Sequence, residues 1–146
     1  MKHYREWLLR GVALLSVLML AGCQSMPEKT NLYDELGGMA VIEKITGNFI
    51  VEVGYDQRIS RFYADSDLNR FYEKMVEYLC AKVDGPCTYE GEAMDVVHAG
   101  MNINEAQFNA VVDLLVNAMN RSGVPHRLQN RVLARLAPTR EQIIYR

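Results

Sequence analysis

The stretch Met94-Asp95-Val96-Val97-His98-Ala99-Gly100-Met101 is the most informative part of this 146-residue sequence. It predicts a short helix from Glu92 to Ala99, which carries one histidine and ends at Gly100. A strongly amphipathic helix follows this stretch, and another, Asp67 to Val83, precedes it across a Gly-Pro turn. Between two such helices, a single imidazole could face a flat apolar cofactor. A lone histidine on an apolar helix face is more often a packing or surface residue. The flanking segments must therefore show whether His98 faces a cofactor.

Those segments carry only helical patterns. Apolar residues recur three and four positions apart, and no segment alternates as a strand does. Asn104 with Gln107 predicts a capping pair, and Pro125 is suited to the first turn of the last long helix. The sequence therefore predicts an all-α domain over residues 31–146. The predicted inner faces are Ile42, Ile45, Phe49 and Val53; Leu68, Phe71, Tyr72, Met75, Val76, Leu79 and Val83; Phe108, Val111, Val112, Leu115 and Met119; and Leu128, Val132, Leu133 and Leu136.

The first 22 residues have the composition of a secretory signal. Three bases (Lys2, Arg5 and Arg10) precede an almost wholly apolar run, residues 11–20, which is too short to span a bilayer. Removing residues 1–22 takes away three of the 16 bases and one of the 18 acids, which leaves a net charge of −4. This balance argues against nucleic acid as a partner. The later stripe Arg127, Arg131, Arg135 is expected to be a solvated helix face.

The end of the signal, Leu20-Ala21-Gly22-Cys23, resembles a bacterial lipobox, in which the cysteine is lipidated and becomes the first mature residue. Several acyl chains on Cys23 would anchor the protein stably to a membrane. The residue after Cys23 is Gln24 rather than aspartate, which resembles the sorting signal of outer-membrane lipoproteins. Residues 23–30 then form a short polar tether. We expect a lipid-anchored protein of the cell envelope, on the outer membrane and facing the periplasm.

Two further cysteines, Cys80 and Cys87, flank the Gly-Pro turn. In an oxidising compartment such a pair is either bridged or left as two thiols, and the sequence leaves both alternatives open. A bridge over so short a loop would add about 2–3 kcal/mol of stability. A metal site is disfavoured, because structural zinc needs more ligands than these two.

From Asn31 to about Glu141 the chain resembles a group I truncated haemoglobin. The similarity lies in the order and spacing of short segments, with no evident insertion, and it covers nearly the whole mature domain. The matching segments are Leu32-Tyr33-Asp34-Glu35-Leu36-Gly37-Gly38, Arg61-Phe62-Tyr63, Asp84-Gly85-Pro86, Tyr89-Glu90-Gly91-Glu92-Ala93-Met94, His98, Gly123-Val124-Pro125 and Ala137-Pro138-Thr139-Arg140-Glu141.

This resemblance implies a two-over-two helical sandwich with haem b between the layers, and it places His98 at the proximal iron ligand. Iron binds a neutral imidazole nitrogen, so the other nitrogen should be held by a carbonyl or carboxylate acceptor. Met94 and Met101, about one turn to either side, would pack on the haem face. The other histidines are poor candidates: His3 lies in the signal, and His126 lies at a helix start.

On the opposite, distal side the sequence departs from the family. Group I members commonly carry a Phe-Tyr pair in the second helix, where this chain has Phe49-Ile50. They often carry glutamine at the position of Met75, one turn after Phe71. A hydrogen bond to a bound ligand with charge on its outer atom is worth roughly 1–3 kcal/mol. Without these donors we expect fast oxygen release, with less effect on carbon monoxide and nitric oxide.

Other residues near this face leave alternatives open. Lys74 is expected to be exposed or to contact a haem propionate, the alternative being a ligand of the iron. Met75 is expected to pack in the core, and its thioether is an alternative sixth ligand. Tyr63 is expected to pack its ring on the haem, the alternative being that it supplies its hydroxyl. Tyr72 and Tyr78 could reach the haem edge or water. The full predicted haem-contact set is His98, Phe49, Ile50, Tyr63, Phe71, Lys74, Met75, Leu79, Met94, Met101 and Phe108.

The sequence thus predicts an envelope haem protein that binds a diatomic gas (O2, NO or CO) or passes single electrons, the latter with a redox partner. A haem enzyme is an alternative, either a nitric oxide dioxygenase or a peroxidase. A structural lipoprotein that has lost haem is another. The apolar distal face argues against a nitric oxide dioxygenase, which needs stable oxygen binding. The lack of a distal histidine or arginine argues against a peroxidase. The presence of His98 argues against a lipoprotein that has lost haem.

Overall fold

The structure is a computed structural model, and it describes residues 30–146. The predicted signal peptide, the lipidation site Cys23 and the tether up to residue 29 lie outside the described residues. Within residues 30–146 every regular element is an α-helix or a 3-10 turn, which confirms the predicted all-α class. None of the helices in this part of the chain is both long enough and apolar enough to cross a bilayer.

Three long helices and one of intermediate length dominate the described chain. Asp67 caps the second long helix by accepting hydrogen bonds from two backbone amides of its first turn, and Asn104 and Gln107 form the predicted capping box. In chain order the elements are α1 (Leu32–Leu36), α2 (Met39–Tyr55), α3 (Gln57–Ser60), a 3-10 turn (Arg61–Tyr63), α4 (Leu68–Lys82), α5 (Met94–Val97), α6 (Glu105–Arg121), α7 (His126–Leu136), a second 3-10 turn (Ala137–Thr139) and α8 (Arg140–Ile143).

The helices pack as two layers. Helix α2 lies along α6 and also contacts α4, while α4 reaches α7 and α1 rests on α7. One continuous apolar core joins the four main helices. Its buried members include Ile42, Ile45, Phe49 and Val53 of α2, Leu79 and Cys80 of α4, Ala110, Leu114, Leu115, Ala118 and Met119 of α6, and Leu128 and Val132 of α7. This arrangement confirms the two-over-two sandwich.

The helix around His98 is shorter than predicted. It spans only Met94–Val97, because Ala93 has extended backbone angles and His98 itself is the C-terminal cap. Gly100 then takes a positive φ of 80°, which turns the chain away from the helix axis. The prediction of a helix from Glu92 to Ala99 was therefore wrong by two residues at each end.

One expectation about surfaces is wrong: Leu68, predicted on the inner face of α4, is 53% exposed. The arginine stripe of α7 is solvent-exposed, as expected, and it is also ion-paired: Arg131 lies 2.7 Å from the Glu35 carboxylate of α1, and Arg135 lies 2.6 Å from Asp84. The hydrogen bond from Arg131 lowers the pKa of Glu35 below its usual value. The acids that pair with this stripe are distant in sequence, so its periodicity alone does not reveal them.

The structure joins Cys80 and Cys87 in a disulfide, with 5.8 Å between their Cα atoms. The loop between them is tightly folded, and the Gly85 amide donates a hydrogen bond to the Cys80 carbonyl at 2.9 Å. A Cβ at Gly85 would lie 2.8 Å from that carbonyl oxygen and 2.7 Å from the ring of Tyr33. Only glycine fits there, so the segment leading from α4 towards His98 begins from a fixed point.

Candidate functional site

The imidazole of His98 is half-buried and held by its own helix. Its Nδ1 lies 2.7 Å from the backbone carbonyl of Met94, one turn earlier. Because a carbonyl oxygen only accepts hydrogen bonds, Nδ1 must donate, and the lone pair is then on Nε2. The acceptor expected from the sequence is present. A neutral imidazole with Nε2 free and its ring orientation set is the form that binds a metal.

The segment that follows His98 is fastened to the C-terminus. The Asn102 amide donates to the Arg146 carbonyl at 2.8 Å, and the Tyr145 amide donates to the Ile103 carbonyl at 2.9 Å. Helix α5 also contacts α8. Asn102 has a positive φ of 47°, an uncommon conformation that these bonds hold in place. The histidine is thus positioned by the disulfide-linked loop on one side and by the chain end on the other.

Apolar side chains of intermediate exposure lie on both layers. On α4, Phe71, Met75 and Val76 pack against the core but keep part of their surface accessible. On α6 the predicted contact Phe108 is likewise half-buried, and so are Met94 and Met101 on either side of His98. Leu79, by contrast, is fully within the core. Half-buried apolar side chains of this kind are better covered by a flat apolar ligand than by solvent.

Three of the predicted distal residues come together. Ile50 of α2, Tyr63 of the 3-10 turn and Phe71 of α4 line a common cavity of about 170 Å³, together with Val53, Gly54, Ser60 and Leu68. The ring centres of Tyr63 and Phe71 are 4.8 Å apart, and Phe71 lies 6.5 Å from Phe49. Burial raises the pKa of the Tyr63 hydroxyl to about 12.

The polar residues of α4 are already partnered. The Lys74 ammonium lies 2.8 Å from the Glu77 carboxylate, and this hydrogen bond lowers the pKa of Glu77. The Tyr78 hydroxyl is hydrogen-bonded to Thr139 at 2.9 Å, and its ring meets Tyr89 edge to face. The polar groups of Lys74 and Tyr78 therefore already have hydrogen-bond partners within the protein.

Sequence reasoning missed several residues of this region. Ser60 and Gly54 line the cavity, and Glu77 and Thr139 hold the polar residues of α4. Arg146 and Ile103 fasten the segment after His98 through backbone groups, which leave no trace in residue type. A carboxylate three residues after Lys74 was the only local signal that could have been used.

Comparison with known proteins decides the family. The family model described as bacterial-like globin matches residues 31–145. The chain belongs to the bacterial-like globins.

Curated relatives of this globin are group 1 truncated haemoglobins. It is 34% identical over 116 residues to GlbN of Mycolicibacterium paratuberculosis, covering 80% of this chain and 85% of that protein. It is 30% identical over 95 residues to GlbN of Nostoc sp., covering 65% of this chain and 80% of that protein. These relatives place this globin among the truncated haemoglobins, a family that implies haem as the cofactor.

Solved structures agree on the fold. The Fe(III) form of truncated haemoglobin from Tetrahymena pyriformis superimposes with a TM-score of 0.77 at 24% identity, covering 80% of this globin and all of that chain. The group II truncated haemoglobin of Bacillus anthracis gives a TM-score of 0.72, also at 24% identity, over 80% of this chain and 92% of that one. At such identities the likeness establishes the truncated-globin architecture alone.

The residues of this globin fit a haem. His98 offers a nitrogen lone pair with a fixed tautomer, and the half-buried faces of α4 and α6 offer apolar contact. Among residues 30–146 no three His, Cys, Asp or Glu side chains are grouped to hold a bare metal ion. A porphyrin brings four nitrogen ligands of its own, so one imidazole suffices.

Proposed function

We propose that this globin binds haem b through Nε2 of His98 and binds a diatomic gas at the haem iron. The observation that carries the proposal is the 2.7 Å hydrogen bond between Nδ1 of His98 and the Met94 carbonyl. It supports an axial-ligand role because it fixes both the tautomer and the plane of the ring before any metal binds. A packing histidine would not need its Nε2 kept free.

The surrounding residues have separable roles. Haem, when bound, would supply an iron that can bind a small gas or change its oxidation state by one electron. The thioethers of Met94 and Met101 contribute soft apolar contact beside the imidazole. Phe71 and Met75 on α4 exclude water from the opposite side. The ion pair of Lys74 with Glu77 favours a rim position for the lysine, in contact with solvent or a propionate, over a place at the iron.

The absorption spectrum of a fragment beginning near Ser25 tests this proposal. We expect purified fragment supplied with haem to show a Soret band with one haem per chain, and the ferrous form to take up CO. If the ferrous spectrum is six-coordinate without added ligand, Met75→Leu and Lys74→Ala identify the internal ligand by loss of the low-spin bands. A folded fragment that stays colourless with excess haem would instead support a structural lipoprotein.

We propose further that the globin is held at the cell envelope by lipid on Cys23. The proposal rests on the lipobox-like Leu20-Ala21-Gly22-Cys23 and on the polar tether that follows. In a Gram-negative host, we expect the full chain to sediment with membranes and to incorporate labelled palmitate. Cys23→Ser should abolish the label and release the protein, while Cys87→Ser should not. Label retained by the Cys23 variant would overturn this anchor.

A further inference from the structure

The arginine stripe of α7 (Arg127, Arg131 and Arg135) runs alongside α1, the short helix with which the described chain begins. Arg127 and Arg131 both lie near the Glu35 carboxylate of α1, at 3.3 and 2.7 Å. Because the three arginines are spaced four residues apart on one helix, they follow one another along a face about 12 Å long. One face of α7 therefore presents its guanidinium groups beside α1.

The first turn of α1 lies at the other end of the stripe. The Tyr33 amide donates a hydrogen bond to the Val83 carbonyl at 2.8 Å, and the following residue, Asp84, pairs with Arg135 at 2.6 Å. Arg135 is thus joined to the same short segment that holds the start of α1. The residues that connect the domain to Cys23 enter the fold at this end of the stripe.

The connection between Cys23 and α1 is short. Asn31, the N-cap of α1, follows Cys23 by eight residues, and a fully extended chain of that length reaches at most about 28 Å. A domain of this size is roughly 35 Å across. Because the reach is shorter than the width of the domain, a lipid on Cys23 would keep the side that carries α1 and the stripe closest to the bilayer.

The three guanidinium groups of the stripe remain able to bind another anion. Their side chains are 72%, 39% and 52% exposed, in chain order. Within residues 30–146 each donates its hydrogen bonds through a single nitrogen, whereas a guanidinium group carries five N–H donors. Arginine binds phosphate through two parallel hydrogen bonds, and exposed ion pairs contribute little to stability, so a lipid phosphate can bind beside the carboxylates or displace them.

We propose that the arginine stripe is the membrane-facing surface of this globin and that it binds the phosphate groups of anionic lipids. The inference rests on the proposed lipid anchor at Cys23. Without residues 1–22 the chain has more acids than bases, so an anionic bilayer repels most of its surface. In the stripe, by contrast, three guanidinium groups share the carboxylates of Glu35 and Asp84. The anchor holds the globin at the membrane, and the stripe determines which side faces the lipid.

Protection of arginine side chains tests this surface in the unmodified, lipidated chain. The protein is placed in phosphatidylcholine vesicles, with or without added phosphatidylglycerol, and treated with phenylglyoxal, which modifies accessible guanidinium groups. Peptide mass spectrometry gives a rate for each arginine. We expect phosphatidylglycerol to slow the modification of Arg127 and Arg135 about 5-fold, and high salt to remove this protection. Arg58 and Arg121, which are also ion-paired and are 71% and 60% exposed, should keep their rates.

Matched variants supply a second readout. The stripe variant changes all three stripe arginines to glutamine. The control variant carries Arg58→Gln, Arg121→Gln and Arg140→Gln, which remove the same charge from three other ion-paired arginines. On vesicles with phosphatidylglycerol, amide hydrogen exchange over α1 and α7 should be slowed in the unmodified protein and in the control variant, but not in the stripe variant. Far-UV circular dichroism verifies that both variants fold.

The outcomes separate the surface from the anchor. Equal phenylglyoxal rates in both kinds of vesicle, with labelled palmitate still on Cys23, would overturn the inference and leave the anchor intact. Equal protection of Arg58 and Arg121 would overturn it too, because the globin would then adsorb without a preferred side. A full chain that carries no lipid would refute the anchor, and the inference with it.

Discussion

His98→Ala is expected to lose most of the Soret absorbance of the haem-supplied fragment. Of the two histidines among residues 30–146, only His98 has a ring nitrogen that is already hydrogen-bonded. Loss of a partner that merely orients a metal ligand costs about 10- to 100-fold in affinity, so loss of the ligand itself should cost at least that. Haem titration followed by absorbance, with haem-to-protein ratios after gel filtration, measures the effect.

His126→Ala is the matched control, because that histidine is exposed at the start of α7 and should leave the spectrum unchanged. Far-UV circular dichroism separates lost haem from lost fold. Added imidazole should restore part of the Soret band in His98→Ala by occupying the vacated position. A variant that keeps full haem and an unshifted spectrum would show that another residue binds the iron.

Removing the disulfide is expected to destabilise the fold strongly. Closing a loop between residues seven apart removes chain entropy from the unfolded state worth about 2.5 kcal/mol. For a domain of this size, Cys80→Ala with Cys87→Ala should lower the melting temperature by roughly 10–15 °C. Because Cys80 is fully buried, alanine avoids placing a new polar group in the core. Thermal unfolding of the Ser25 fragment, with and without reductant, measures the loss.

The reductant supplies the internal control. It should lower the melting temperature of the unmodified fragment and leave the double variant unchanged, since that variant has no bridge to break. Intact mass before and after reduction should differ by two hydrogens. Two freely alkylated thiols in the native fragment, or equal melting temperatures for both proteins, would contradict the bridge and its contribution.

The helices were predictable because their causes are local. Three-four periodicity on α2, α4, α6 and α7 reflects one buried face on each helix, and the capping box of Asn104 and Gln107 is complete within four residues. The acceptor for His98 was foreseeable for the same reason, since the carbonyl of Met94 lies one helical turn away. The ends of the short helix before His98 were misjudged, because backbone angles at Ala93 decide them rather than residue type.

The unpredictable features all join residues far apart in the chain. The residues around Arg131 do not predict its ion pair with Glu35. The residues around Asn102 do not predict the hydrogen bond from its amide to the Arg146 carbonyl. The cavity is another such feature, because Ile50, Tyr63 and Phe71, which line it, lie on three different elements.

By itself the sequence determined the all-helical class and the inner face of each main helix, because these follow from side-chain type at helical spacing, which acts within a few residues. The role expected of His98 came from the resemblance to the truncated haemoglobins. Only the tertiary structure decided that Cys80 and Cys87 are bridged, that the arginines of α7 are paired, and that Tyr63 meets Ile50 and Phe71 at one cavity. Those outcomes depend on distances between helices, which arise only when the two layers pack around a shared core.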